Sequence, residues 1–325
     1  YHVIGATMRL WTYSDSCNMK HEGCCAESAV EDARRVCDKL GIDFYVMNFK
    51  DMFKDKVVDY FVDEYIHGRT PNPCIACNKY LKFDALLKKA LAMGIDYVAT
   101  GHYAKIEKGE DGKYILRASE AVKKDQSYVL YNFTQEQLAH TLMPLGGYNK
   151  DWVRQKAEEL GLGVAHKPDS QEICFVEDDD YAKFITDYSG YKPKEGDILD
   201  VNGNVIGKHR GLIYYTIGQR KGIGAYGRPM FVMKIDAENN TITLGEKGME
   251  FSNELTAYDV NFVSGEFPKE NMLITAKVRY QAPPAAAMLC PQKDGTVKLM
   301  FPEPQRAVTP GQAVVFYDGD IVLGG

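Results

Sequence analysis

The chain has 325 residues, 45% hydrophobic and 26% charged, with 39 Lys plus Arg against 45 Asp plus Glu for a net charge of −6. This is ordinary globular composition with length for two or three domains, which excludes a disordered or low-complexity chain. No apolar run approaches the roughly 18 residues of a membrane span, and the eight cysteines are scattered unlike a secreted disulfide framework, so a reducing, cytoplasmic setting without a membrane is expected.

In chain order, residues 2–6 (HVIGA) read as an opening apolar strand. No signal peptide precedes it, and Tyr1 is not an initiator Met, so an upstream segment is expected. Ala26, Ala29, Val30, Ala33, Val36, Cys37 and Leu40 follow helical spacing, with Gly41 as the stop. Residues 44–47 (FYVM) read as a buried strand. The unit recurs as a helical pattern over residues 80–93, a stop at Gly94 and a strand at 97–100 (YVAT). Helix alternating with buried strand is the signature of a parallel α/β sheet, whose ligands bind beyond the carboxyl ends of the strands. Met8, Gly101 and His102 stand at those ends.

A helix at 152–160 closed by Gly161 and another at about 180–188 begin a middle region, which turns after Gly196 to short strands and Gly-rich turns. Between Val201 and Ile235 there is no Asp or Glu, whereas Lys208, Arg210, Arg220, Lys221, Arg228 and Lys234 all fall there. His209, Tyr214, Tyr215, Tyr226 and Phe231 are interleaved with them, and the acidic run Glu177, Asp178, Asp179, Asp180 precedes. Two readings stay open: a solvated β surface, or a phosphate-binding face with aromatics for stacking. Beyond about Gly248 come LTAYDVNFV, MLITAKVRY, GTVKLMF and QAVVFYDG, short strands that suggest a small barrel or sandwich. The expected division is 1–143, 144–247 and 248–325.

The chemistry centres on TPNPCIACNK, from Thr70. Pro71 and Pro73 stiffen the entry, and Asn78 is expected to cap a helix starting near Lys79, where a helix N-terminus stabilises a thiolate. Cys74 and Cys77 suit a zinc half-site, a redox dithiol or part of a catalytic site. Zinc is the weaker reading, because Cys24 and Cys25 do not repeat the C-x-x-C spacing. Cys174, in PDSQEICFVEDDD, would by itself be read as a small buried hydrophobe.

The strings GRTPNPCIACNKYLKFDALL, YVATGHYAKI, KKDQSYVLY, KPDSQEICFV and GLIYYTIGQRKGIG, with the late KVRYQAPPA and VTPGQAVVFYDG, change this. In order and spacing the chain resembles the tRNA-specific 2-thiouridylase family over almost its whole length. The resemblance implies a PP-loop ATPase-like domain of the adenine nucleotide alpha hydrolase type, a mixed central domain and a C-terminal β-barrel. It implies adenylation of the wobble-uridine 2-oxygen by ATP with Mg2+, then replacement of that oxygen by sulfur. Cys174 matches the residue that carries sulfur as a persulfide, and Cys77 its nucleophilic partner. The sulfur comes from a persulfide relay protein or a cysteine desulfurase. Met8 and Gly101 match nucleotide-contacting positions, and Asn72, Pro73 and Cys74 the segment beside the target base. His102, Lys124, Asp125, Gln126, Arg279, Tyr280 and Gln312 match tRNA-contacting positions.

Two departures bear on these expectations. The family's Ser-Gly-Gly-x-Asp-Ser loop is missing, since the only Gly-Gly pairs are 146–147 and 324–325. The first strand and PP-loop are therefore expected to lie outside this sequence, and the chain alone to be inactive. Cys74 also stands where many members have Asp. With Cys77 and Cys174 it could form a three-thiolate site for a four-iron cluster, an alternative to the persulfide route. The readings of other classes are a non-enzymatic RNA-binding or metal-stabilised module, and another PP-loop adenylating enzyme.

Overall fold

The computed structural model describes residues 1–11, 27–167, 173–176 and 179–325. Cys24, Cys25, Ala26, Glu177 and Asp178, invoked above, lie outside the described residues.

Strand β1 (Gly5–Arg9) pairs in parallel with β2 (Phe44–Asn48), in register from Gly5 opposite Phe44 to Arg9 opposite Asn48. Helix α1 (Glu27–Leu40) makes the crossover, and Gly41 follows it at φ 67°. A Cβ on Gly5 would stand 2.3 Å from Cys37 Sγ, so only glycine lets α1 sit against this strand. The opening strand thus lies three residues later than its apolar pattern suggests, because pairing with β2 sets the register.

A helical run not anticipated from periodicity follows: α2 (Lys50–Phe53), a π-wound stretch (Lys54–Asp59) and α3 (Tyr60–Ile66). It buries Phe53, Val57, Val58, Phe61, Val62 and Tyr65 in an aromatic core shared with Phe175 and Ile185. A second run joins α4 (Pro73–Ala76), a π-wound stretch (Cys77–Ala85) and α5 (Leu86–Ala92). Then β3 (Val98–Ala99) pairs in parallel with β6 (Thr141–Leu142). The parallel α/β expectation is met as two separate two-stranded ribbons, β1–β2 and β3–β6.

Between β3 and β6, strands β4 (Ala104–Lys108) and β5 (Tyr114–Ala118) form a hairpin closed through Gly109 and Gly112. Arg117 of β5 lies opposite Ile321 of β16 (Ile321–Gly324), so the hairpin extends the C-terminal sheet. That sheet also contains β11 (Phe251–Ala257), β12 (Met272–Lys277), β13 (Ala285–Pro291), β14 (Val297–Arg306) and β15 (Val315–Asp318). Its order is β11-β14-β13-β12-β15-β16-β5-β4. In the middle, β7 (Gly196–Leu199), β8 (Val205–His209), β9 (Met230–Asp236) and β10 (Thr241–Glu246) form a four-stranded sheet over Ile198, Leu212, Val232, Ile242 and Leu244. Among the described residues, no helix is long and apolar enough to cross a membrane.

These units meet at the start of the cysteine-bearing segment. Thr70 donates its N–H to Pro310 O (2.9 Å) and accepts from Gln312 Nε2 (2.7 Å), both next to the C-terminal sheet. Its hydroxyl also reaches Thr216 Oγ1 of the middle unit at 3.4 Å. Arg279 joins the other two units, donating to Ile217 O (3.0 Å), to Ala307 O (2.7 Å) and to Thr309 Oγ1.

Candidate active site

The helix carrying the thiols starts earlier than expected. Asn72, not Asn78, is the N-cap: its backbone is extended and its Oδ1 accepts from Cys74 N at 3.1 Å. Pro73 takes the first helical position, where a missing N–H removes nothing and φ is already set. Cys74 therefore falls in the first turn and is exposed, and Cys77 follows one turn on and is half-buried. Asn78 is instead buried within the helix, donating to Val129 O at 3.0 Å. Upstream, Arg69 is held by both carboxylate oxygens of the nearly buried Glu64, which fixes the approach to the corner.

Cys174 sits in a tight turn in which Val176 N donates to Ile173 O at 2.9 Å. The next residue anchors that turn. Phe175 is buried, with its ring centroid 5.6 Å from Phe53, 5.3 Å from Phe61 and 5.2 Å from Phe184. Cys174 is thereby held at the rim of the aromatic core, and Cys77, the first residue of the π-wound stretch after α4, packs on the same core. Met8, near the carboxyl end of β1, packs there too.

Gly101 is exposed just past β3, and a Cβ there would meet only Leu145 at 3.7 Å, so the backbone edge is open to a ligand. His102 is tied to Thr100 Oγ1 (2.8 Å) and packs on Phe83. Burial, with Lys82 adding to it, pushes its proton affinity down to about 3. A neutral imidazole can hydrogen-bond RNA but cannot pair with a phosphate as an ion.

That depression predicts a pH effect. The unfolded histidine titrates near 6.5, so between that value and about 3 the unfolded chain binds a proton that the folded chain does not. The contribution is complete above about 6.5 and is lost as pH falls. Urea melts at about pH 7 and about pH 5 should show the wild type losing more stability than His102→Asn; parallel losses would contradict it.

The other expected RNA contacts are engaged within the protein. The Asp125 carboxylate accepts from Ser119 N (2.9 Å), Ser127 N (3.2 Å) and Ser127 Oγ (2.8 Å), and so holds its own loop. Gln126 Oε1 accepts from Tyr103 N at 2.9 Å. Tyr280 donates to Asp125 O at 3.1 Å with its ring partly exposed. Arg279 and Gln312 are the interdomain links described above. Lys124 closes a short 3-10 turn (Val122–Lys124) beside Tyr280.

The acid-free stretch loses half of its cations to carboxylates outside it. Strand pairing brings Asp197 to Lys208 (2.5 Å), and Arg228 and Lys234 pair with Glu246 (2.7 Å) and Asp236 (3.0 Å). His209 is buried, accepting from Gly211 N while its other nitrogen meets Asn240 O, so it is structural. Arg210 stacks on Tyr214 at 4.0 Å. Arg220 and Lys221 remain exposed on a loop braced by Gln219, which bonds Thr216 N, Tyr214 O and Lys221 O.

Among the described residues, no three His, Cys, Asp or Glu side chains gather into a group that could hold a metal ion, so Cys74, Cys77 and Cys174 do not assemble the three-thiolate site. A cavity of about 770 Å³ is lined by Asn72, Ile75, Ala76, Lys79 and Gln312 but by none of these three cysteines.

A family model described as "tRNA methyl transferase HUP domain" matches residues 1–178. Others described as "tRNA methyl transferase PRC-barrel domain" and "Aminomethyltransferase beta-barrel domain" match 182–246 and 252–325. Fold and matches together define a HUP-type α/β protein with two appended β units. Among curated relatives, the tRNA-specific 2-thiouridylase MnmA of Acetivibrio thermocellus is 58% identical over 328 residues, spanning 100% of this chain and 91% of the relative. Proteins of the same name from Clostridioides difficile and Clostridium beijerinckii are 57% and 55% identical, each over 100% of this chain and at least 90% of the relative. The chain belongs to the tRNA-specific 2-thiouridylase family.

Proposed function

We propose that this protein is a cytoplasmic tRNA-uridine 2-sulfurtransferase, making 2-thiouridine at the wobble position. The observation that carries the reading is that two cysteines distant in sequence, Cys77 and Cys174, pack on the rim of one aromatic core. The family models speak of methyl transfer, but methyl transfer has no use for a thiol pair, whereas persulfide release by exchange requires one.

ATP, held with Mg2+ across the ends of β1 and β3 beside Met8 and Gly101, would supply the adenylyl group that makes the uridine 2-oxygen a leaving group. The chain's own residues carry the sulfur. The outer sulfur of a Cys174 persulfide attacks the activated C2, and the carbon–oxygen bond breaks with AMP leaving. The Cys77 thiolate then attacks the inner Cys174 sulfur. The bond to the transferred sulfur breaks, its electron pair completes the thiocarbonyl, and a Cys77–Cys174 disulfide remains for an external thiol to reduce. The persulfide comes from a relay protein or a cysteine desulfurase. This route needs no metal; the cluster alternative predicts stoichiometric iron and acid-labile sulfide in anaerobically purified protein. Units of about 1–143, 144–247 and 248–325 would divide the work into chemistry, connection to tRNA and RNA support. Asn72, Pro73 and Cys74 would lie beside the target base, with His102, Lys124 and the Tyr280 ring close by. Asp125, Gln126, Arg279 and Gln312 would hold the contacting surface in shape.

The test is thiolation of unmodified tRNA by the protein expressed from its gene, with ATP, Mg2+ and a persulfide donor, read by nucleoside mass analysis. Absence of 2-thiouridine overturns the reading. On the RNA side, Arg220→Ala with Lys221→Ala should weaken tRNA binding and flatten its salt dependence by up to about two counterions. Lys208→Ala, whose charge Asp197 already meets, should do much less. Equal effects would show that the loop is not the RNA-facing part.

A further inference from the structure

The clamp at Arg279 leaves the cationic role on this edge of the C-terminal sheet to another residue. Lys277 ends β12, half-buried, with its ammonium 5.9 Å from the Tyr128 ring centroid and 5.8 Å from that of Tyr280. Among the described residues, no carboxylate, carbonyl or hydroxyl accepts a hydrogen bond from it. Other partly buried cations are paired: Lys79 with Asp259 (3.2 Å), Lys105 with Glu120 (2.5 Å), and Arg279 with two carbonyls and a hydroxyl.

The nearest acid, Asp125, is the one whose oxygens are already engaged by Ser119 and Ser127. Burial lowers the Lys277 proton affinity and the Asp125 charge only partly opposes it. A half-buried ammonium with no acceptor from the protein has lost part of its hydration, which an arriving anion would replace. Its position suggests what that partner is. Tyr280, which forms one wall, lies within electrostatic reach of Cys74, Lys124 and Asp125, since burial first and then Asp125 and Cys74 raise its phenol while Lys124 opposes them. Lys277 therefore shares the Tyr280 ring with the Asp125 loop, on the side of the protein that the Cys74 sulfur influences.

We propose that Lys277 anchors a backbone phosphate of the bound tRNA next to the reacting nucleotide, with the exposed Tyr280 ring as the adjoining wall. The proposal rests on the tRNA-thiolating reading and names a contact of that site. The two tyrosines hold the ammonium between them, so little side-chain freedom remains to be lost when a phosphate docks.

The experiment compares wild type, Lys277→Met and Lys277→Arg in the protein expressed from its gene, measuring tRNA affinity across a salt series. Lys277→Met should bind several-fold more weakly, with the slope of log affinity against log salt reduced by about one, and Lys277→Arg should restore the slope. A wild type that binds and thiolates tRNA alongside a Lys277→Met variant of unchanged slope overturns this inference alone. A wild type that does not bind tRNA overturns the functional reading with it. Should Lys277→Met fail to fold, acetylation footprinting of the wild type decides. Protection of Lys277 by tRNA supports the contact, whereas no protection, or protection by ATP alone, contradicts it.

Discussion

Cys174→Ser is expected to bring 2-thiouridine formation down to background while tRNA affinity stays close to wild type. A hydroxyl cannot hold sulfane sulfur, so no persulfide forms at that position and the activated carbon has no sulfur nucleophile. The fold should tolerate the change, because Phe175 and the Ile173–Val176 hydrogen bond hold the turn without help from the thiol. Cys77→Ser should fail at a later step. Its Cys174 can still accept sulfur and attack, but the bond joining protein to nucleoside is not broken by a neighbouring thiolate, so a covalent protein–tRNA adduct should accumulate until an added thiol releases it. Normal thiolation by Cys174→Ser, or an adduct-free Cys77→Ser, would remove these roles.

The second large effect is expected at Gly311, which touches the cysteine-bearing segment at its start. Its φ is +89°, and a Cβ there would lie 2.8 Å from Thr70 N and 3.0 Å from Arg69 Cβ. Gly311→Val combines an unfavourable backbone conformation with a steric collision against main chain, together about 2–4 kcal/mol of destabilisation. The collision falls where Thr70 is held by Pro310 and Gln312, so any relief must shift the Pro-Asn-Pro corner and with it Cys77. The melting temperature should fall, and in protein that remains folded kcat should fall more than KM rises. Gln312→Ala removes one hydrogen bond and should be milder, about 1 kcal/mol. A Gly311→Val protein with wild-type melting and turnover would show that the junction does not govern the corner.

Much of this arrangement was legible in the residue pattern, and the exceptions have physical causes. Helix α1, the β2 strand and the late β region followed from periodicity and from Gly stops, because burial of one face leaves a repeating signature. The helical run over residues 50–66 did not, since the π-wound stretch that carries Val57 and Val58 separates Phe53 from Phe61 and Val62 and so blurs a 3.6-residue period. The hairpin at Ala104–Ala118 was not anticipated, although it carries a Gly-Glu-Asp-Gly turn, and its pairing partner β16 lies at the other end of the chain. Asn72 was readable as a cap in hindsight, with Pro following it as the first helical residue. The charge of residues 201–235 misled because sequence cannot show which strand will lie opposite: Asp197, Asp236 and Glu246 come from outside the stretch and meet its cations. The Cys77–Cys174 partnership was visible only through the resemblance, since the Cys74–Cys77 spacing left zinc, redox and catalytic readings open and Cys174 is not distinctive when taken alone. Lys277 was passed over because its significance lies in the partner it lacks.

The central claim is that sulfur leaves the protein through a Cys174 persulfide with Cys77 completing the release. Single turnover tests it most directly. The protein is loaded with isotopically labelled persulfide, freed of donor, and mixed anaerobically with unmodified tRNA, ATP and Mg2+; nucleosides and non-reduced peptides are then followed by mass spectrometry over time. The account predicts that labelled sulfur moves from the Cys174 peptide into 2-thiouridine while a Cys77–Cys174 disulfide appears in step and in equal amount. Labelled 2-thiouridine formed while both cysteines stay reduced, or formation that depends on bound iron, would contradict it.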